Sequence, residues 1–187
     1  MKKKIIVALL ILVAFVGSAS AFDFMSAADG IKDSSILINL GVGLGTAYYS
    51  ETVLPPVSAS IDYLLPIGIP LSVGGYFNMA IYSNGGNKAT YVGYTEYTYM
   101  SFGLRLAWHI DLGLKNLDLY VGPAVGYLIY NGKNTYWNTY EISYEGGYLD
   151  IGGFLGVRFF FIDNVGVWLE AGYTGLTFAS LGVSFKF

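Results

Sequence analysis

From residue 36 onward, apolar side chains recur at every second position in eight separate runs. Successive side chains leave an extended backbone on opposite faces, so a period of two is the strand period. In the first run Ile36, Ile38, Leu40, Val42 and Leu44 share one face, opposite Asn39, Gly41, Gly43 and Gly45. Val57, Ala59, Ile61 and Tyr63 oppose Ser58, Ser60 and Asp62; Leu71, Val73, Phe77, Met79 and Ile81 oppose Ser72, Gly74, Tyr76 and Asn78. Met100 to Ile110 alternates likewise against Ser101, Gly103, Arg105, Ala107 and His109. The remaining runs centre on Val121, Leu155, Val167 and Val183, and no window keeps the helical period.

Each run spans about nine to fourteen residues, longer than the ~5–6 of soluble strands and enough for the ~9–11 that cross a bilayer at a tilt. Residues 65–70, 111–116 and 161–164 make short connectors, whereas 46–55, 83–96 and 131–145 make long ones; the fourth outer connector, around Thr174 and Gly175, is tight. Short turns on one side and long loops on the other are the layout of a membrane barrel. One face of every run is aliphatic and aromatic; the other carries Gly, Ser, Asn and all in-strand charges. Such a face suits a cramped interior, and only a closed sheet pairs every backbone group within lipid. The expected fold is all-β: an eight-stranded antiparallel up-and-down transmembrane β-barrel.

The chain opens with Lys2, Lys3 and Lys4, an apolar run from residue 5 to 16, then Gly17, Ser18, Ala19, Ser20 and Ala21. This reads as a signal peptide cleaved after Ala21, the apolar run being too short for a spanning helix. The expected organisation is a signal peptide over 1–21, a short periplasmic segment over 22–34 and the barrel over 35–187. Cleavage leaves seven basic against 13 acidic residues, an unsuitable balance for nucleic acid. With no Cys, thiol chemistry and disulfides are excluded.

The signal peptide, the eight runs, Leu119-Tyr120-Val121-Gly122-Pro123-Ala124-Val125-Gly126-Tyr127 and the ending Gly182-Val183-Ser184-Phe185-Lys186-Phe187 resemble the small bacterial outer-membrane barrels of the OmpA/OmpX-like class. The resemblance implies outer-membrane localisation. It also implies an aromatic carboxy-terminus, Phe187 with Phe185, read by the barrel-assembly machinery. The sequence stops at Phe187, so the peptidoglycan-binding domain of full-length OmpA-type proteins is not expected.

Asp62, Arg105, Asp118, Asp150, Arg158, Glu170 and Lys186 have inward parity. In a narrow lumen such charges must pair, with Arg105 and Glu170 near mid-barrel and Arg158, Asp62, Asp118 and Lys186 lower. They form either a hydrogen-bonded plug or an ion path; eight strands enclose only enough room for side chains. Trp168, Tyr120, Phe154 and Phe178 are expected to fill the same space. His109 lacks metal-binding companions and reads as structural. Gly41, Gly43 and Gly45 lie on a strand with no following helix, so they make room and do not cradle phosphate. Glu141 and Glu145 lack calcium-loop spacing. Tyr91, Tyr94, Tyr136, Trp137 and Tyr140 serve the aromatic girdle or a binding surface.

The expectation is therefore a monomeric outer-membrane barrel with a plugged interior, structural or engaged in surface interaction through its loops. A narrow channel is the alternative, and an outer-membrane lipid-modifying enzyme a more distant one. No catalytic residue, metal or cofactor is assigned. The expected partners are membrane lipid, the assembly machinery and an extracellular ligand.

Overall fold

The computed structural model describes residues 31, 33–44, 51–84, 94–114, 116–136 and 140–187, with Tyr94, Thr135, Tyr136, Tyr140 and Glu141 described through their backbone alone. The expected signal peptide, the loop residues Tyr91 and Trp137, and Gly45 lie outside the described residues. The alternating runs form β1 (Ile36–Leu44), β2 (Glu51–Leu64), β3 (Leu71–Asn84), β4 (Tyr94–Ile110), β5 (Leu117–Tyr136), β6 (Tyr140–Ile162), β7 (Val165–Tyr173) and β8 (Ala179–Lys186). Each strand pairs antiparallel with its neighbours in sequence, and β1 pairs with β8 to close the barrel. At the seam Phe187 and Ile36 exchange both backbone hydrogen bonds, at 2.9 Å each.

The short connectors 65–70 and 111–116 fall where the sequence placed them. In the second, Asp111 Oδ1 accepts the amide of Gly113 at 2.8 Å. The connector expected over 161–164 contracts to Asp163 and Asn164. The loop side departs further from expectation. β4, β5 and β6 reach 17, 20 and 23 residues, and most of the connector expected over 131–145 is a continuation of the β5–β6 ladder, down to Tyr136 opposite Tyr140. Cross-strand side-chain contacts, Asn131 Nδ2 to Glu145 Oε1 at 3.5 Å and Tyr99 beside Tyr130 with ring centres 6.0 Å apart, accompany the ladder where lipid no longer enforces it. β5 and β6 run roughly ten residues or more beyond what a tilted crossing of the bilayer needs, and β4 somewhat less. On β2 the strand also begins earlier, at Glu51, with a register shift between Leu54 and Val57 where Pro55 and Pro56 cannot donate to the ladder.

The wall is apolar outside and polar inside. Leu104 is 66% exposed and Ile151 69%, whereas Asn39, Asp62, Ser72, Ser101, His109, Asp118, Arg158 and Ser184 are buried. In water such a continuous apolar outer surface would be strongly unfavourable; within hydrocarbon it is the required one. The chain is a transmembrane β-barrel.

Candidate functional site

The interior holds a polar network that takes at least one side chain from each of the eight strands. Glu170 (β7) meets Arg105 (β4) in a two-pronged pair, Nη2 to Oε2 at 2.8 Å and Nη1 to Oε1 at 3.3 Å. Arg105 Nε lies 3.0 Å from Asp62 Oδ1 on β2, an ion pair not aligned as a hydrogen bond. The other Asp62 oxygen accepts from Arg158 Nη2 on β6, and Arg158 Nη1 donates to Asp118 on β5 at 2.7 Å. Asp118 faces His109 Nδ1 at 2.7 Å, and His109 Nε2 lies 3.0 Å from Ser72 Oγ on β3. Arg158 Nε and Ser184 Oγ of β8 both donate to Asn39 Oδ1 of β1, at 3.0 and 2.8 Å.

Aromatic rings pack between the charges. The Arg158 guanidinium sits 3.9 Å from the centre of the Tyr120 ring, and that of Arg105 sits 3.8 Å from the centre of Phe154. The Tyr120 hydroxyl donates to Glu170 Oε2 at 3.0 Å. Paired charges on ring faces satisfy groups that would be costly to bury alone. Two further candidates make contacts of their own. Asp150 is nearer the loop side, accepting from the Tyr76 hydroxyl at 3.2 Å. Lys186, expected in the lower charge cluster, reaches over the Phe160 ring at 4.6 Å.

Toward each end of the lumen lies a cluster of buried apolar side chains. At the turn side Ile31 packs with Leu37, Leu64 and Phe160. At the loop side Leu176 packs with Ala80, Tyr82 and Leu128, with Tyr99 and Tyr130 against them. Phe178, expected to point inward, is 49% exposed and stacks beside Tyr173 at 5.6 Å. The cause is the β7–β8 turn, which folds into the lumen and resets the alternation; Leu176 and Thr177, each 2% exposed, occupy the interior instead.

Asn39 and Ser72 belong to the site without having been singled out in the sequence, while His109, expected to be structural, and Tyr120, expected to fill the lumen, are hydrogen-bonded members of it. Shared inward parity of His109 and Asp118 on either side of a short turn was the available signal. Asp118, His109 and Ser72 have the contact order of a hydrolase relay. All three are fully buried, at 0% exposure, and the Ser72 hydroxyl also points at the Ala107 carbonyl at 3.4 Å. The relay is a closing piece of the network, with no room for a substrate at Ser72.

Outside the lumen, Phe185 is half-buried and Phe187 is 69% exposed, both on the lipid-facing side. Tyr94, Tyr136 and Tyr140 lie on the outer hairpins by their backbone pairing.

No known family profile and no curated protein matches the sequence. Solved structures do match. The attachment invasion locus protein Ail of Yersinia pestis, crystallised with the heparin analogue sucrose octasulfate, is 12% identical over 83% of this chain and 100% of that one, with a TM-score of 0.56. Neisserial surface protein A is 13% identical over 90% of this chain and 100% of that one, with a TM-score of 0.53. At these identities the likeness is one of architecture. The closed eight-stranded wall, apolar outside and polar within, has the fold of the small outer-membrane barrels.

Proposed function

We propose that this chain is an outer-membrane surface-interaction protein: a filled barrel that anchors a projecting, tyrosine-rich sheet outside the membrane. The observation that carries the reading is the disparity in wall height. β5 and β6 run far past the bilayer, while β7 pairs with β6 only from Gly153 to Ile162. Residues 142–149 of β6 are therefore not laddered to β7; Ile142, Tyr144 and Tyr148 are 40%, 47% and 44% exposed, and the Tyr148 side chain hydrogen-bonds that of Tyr173 at the top of β7. Exposed Tyr beside a strand edge is a surface that proteins use for recognition.

The interior supports neither a channel nor an enzyme, because its charges are paired to one another and its rings occupy the lumen. Charge on the projecting side narrows the partner. The segments 45–54, 83–98 and 131–149 carry Glu51, Glu96, Glu141 and Glu145 against Lys88 and Lys133. A sulfated polyanion like the one crystallised with Ail is thus a poor fit, and a neutral or basic protein surface a good one. Insertion by the assembly machinery through Phe187, a monomeric state and the signal peptide over 1–21 belong to the same reading.

The test uses the protein in lipid nanodiscs, probed with arrays of extracellular proteins and glycans. Binding to a neutral or basic protein is expected, and is expected to be lost in Tyr144→Ser/Tyr148→Ser while the unfolding midpoint is retained. Absence of any binding by the native protein, or binding unaffected by the double change, would overturn the reading.

A further inference from the structure

We propose that the β7–β8 turn, residues 174–178, is a displaceable stopper that closes the outer mouth of the barrel over a small hydrated chamber. The inference rests on the filled-barrel reading and names the part of the filling that can move.

The turn occupies a site shaped to receive it. Asn78 Nδ2 donates to the Thr174 carbonyl at 2.7 Å, and Ser101 Oγ donates to the same oxygen at 3.4 Å. Leu176 enters the apolar ring of Ala80, Tyr82 and Leu128. The wall is cut away where the turn enters. A Cβ on Gly43 of β1 would stand 2.3 Å from Thr177 Cγ2, and one on Gly175 would stand 2.5 Å from Ser101 Oγ. Gly175 also holds a φ of 77°, which side chains rarely adopt.

The turn is held lightly compared with what lies beneath it. The charged network ties all eight strands together. Among the described residues the turn is secured by two hydrogen bonds onto the Thr174 carbonyl, by Leu176 in its apolar ring, by Thr177 buried beside Gly43, and at its base by Gly172 N donating to Phe178 O at 2.9 Å, with no ion pair. It also carries its own hydrogen bonds, Leu176 N to Thr174 O at 3.0 Å and Thr174 Oγ1 to Thr177 Oγ1 at 3.1 Å, so it can swing as a folded unit. The β7–β8 ladder ends at Ala171 opposite Ala179 and is followed by Gly172 N donating to Phe178 O at 2.9 Å; neither need open when residues 174–177 swing. Beneath the turn lies a void of about 10 Å³, lined by Ser58, Ser60, Asn78, Arg105, Glu170 and Ser180. That is the volume of a single water with several polar partners. Outward movement of the turn joins this chamber to the exterior, while the charged network still blocks the passage below.

The natural chain has no cysteine, so single cysteines report cleanly. Thr177→Cys in proteoliposomes is expected to react with a membrane-impermeant maleimide at least about tenfold more slowly than Ser143→Cys on the exposed part of β6. Gly43→Val should expel the turn and bring Thr177→Cys close to the Ser143→Cys rate. Labelling of Thr177→Cys at the reference rate in the otherwise native chain would overturn the proposal, as would continued protection in a folded Gly43→Val/Thr177→Cys barrel. Should Gly43→Val not fold, Gly43→Cys/Thr177→Cys decides. The Gly43 Cβ position lies 3.2 Å from Thr177 Cβ, a few tenths of an ångström short of the ~3.5–4.5 Å range of disulfides, which a small shift of the turn restores. Oxidation should consume both thiols; two free thiols in a folded barrel would overturn the proposal. None of these variants touches Tyr144 or Tyr148, so failure here is distinguishable from failure of the binding reading.

Discussion

Arg105 and Glu170 are 2% and 6% exposed, and their removal is expected to be asymmetric. Arg105→Met deprives Glu170 of both prongs and leaves Asp62 Oδ1 without its ion-pair partner at 3.0 Å. Removing one member of a buried ion pair costs ~3–5 kcal/mol, and the upper end applies when two carboxylates lose the same cation. Glu170→Gln keeps an acceptor for Arg105 and for the Tyr120 hydroxyl, and Arg105 keeps Asp62. Its cost is the difference between a charged and a neutral hydrogen bond, ~1–3 kcal/mol. In the double variant Asp62 remains paired with Arg158, and no carboxylate is left at position 170. The two changes together are therefore expected to cost less than their sum, with a coupling of ~1–3 kcal/mol. The assay is urea unfolding of the four proteins in the same lipid vesicles, followed by tryptophan fluorescence, with coincident forward and reverse transitions. Additive losses would show that the two side chains do not act on one another. A larger loss for Glu170→Gln than for Arg105→Met would refute the bridging position assigned to Arg105.

Arg158→Met strands Asp62, Asp118 and Asn39 together and is expected to prevent refolding or cost at least ~3–5 kcal/mol, read from refolding yield and urea midpoint. His109→Phe leaves Asp118 Oδ1 and Ser72 without a partner and should cost ~1–3 kcal/mol in the same assay. Ile31→Ala opens the apolar closure at the turn side, with an expected loss of ~2–5 kcal/mol in the urea midpoint if the side chain seals the lumen as placed. Leu104→Arg puts a charge on the lipid face and should cost ~2–4 kcal/mol if the site lies at the membrane midplane; unchanged stability in vesicles would contradict the outward orientation of that face.

The lumen-facing and lipid-facing sides were legible wherever lipid or a packed interior imposes a period of two. Leu104 and Ile151 point out, and Arg105 and Arg158 point in, as their parity required. The short turns were legible because Gly68, Gly113 and Asn116 take positive φ at the breaks in the pattern. The tops of β5 and β6 were not, because outside the bilayer neither face is forced to be apolar and only the pairing of one strand with the other defines the element. Parity also failed at Phe178, where a turn folded through the lumen shifts the alternation. The network was legible as a set of inward charges and not as a set of partners. Asp62 joins Arg105 to Arg158 across the lumen, and that meeting depends on how the strands are staggered around the barrel. The role of His109 depends on the same register, which sets it opposite Tyr120 and diagonal to Asp118.

Single-channel recording of the refolded barrel, residues 22–187, in planar bilayers tests the filled interior most directly. On the proposed filled-barrel reading, the two apolar clusters and the charged network leave no continuous path, so insertion is expected to produce no stable current steps. Reproducible large-conductance steps, scaling with the amount of folded protein inserted, would contradict the account.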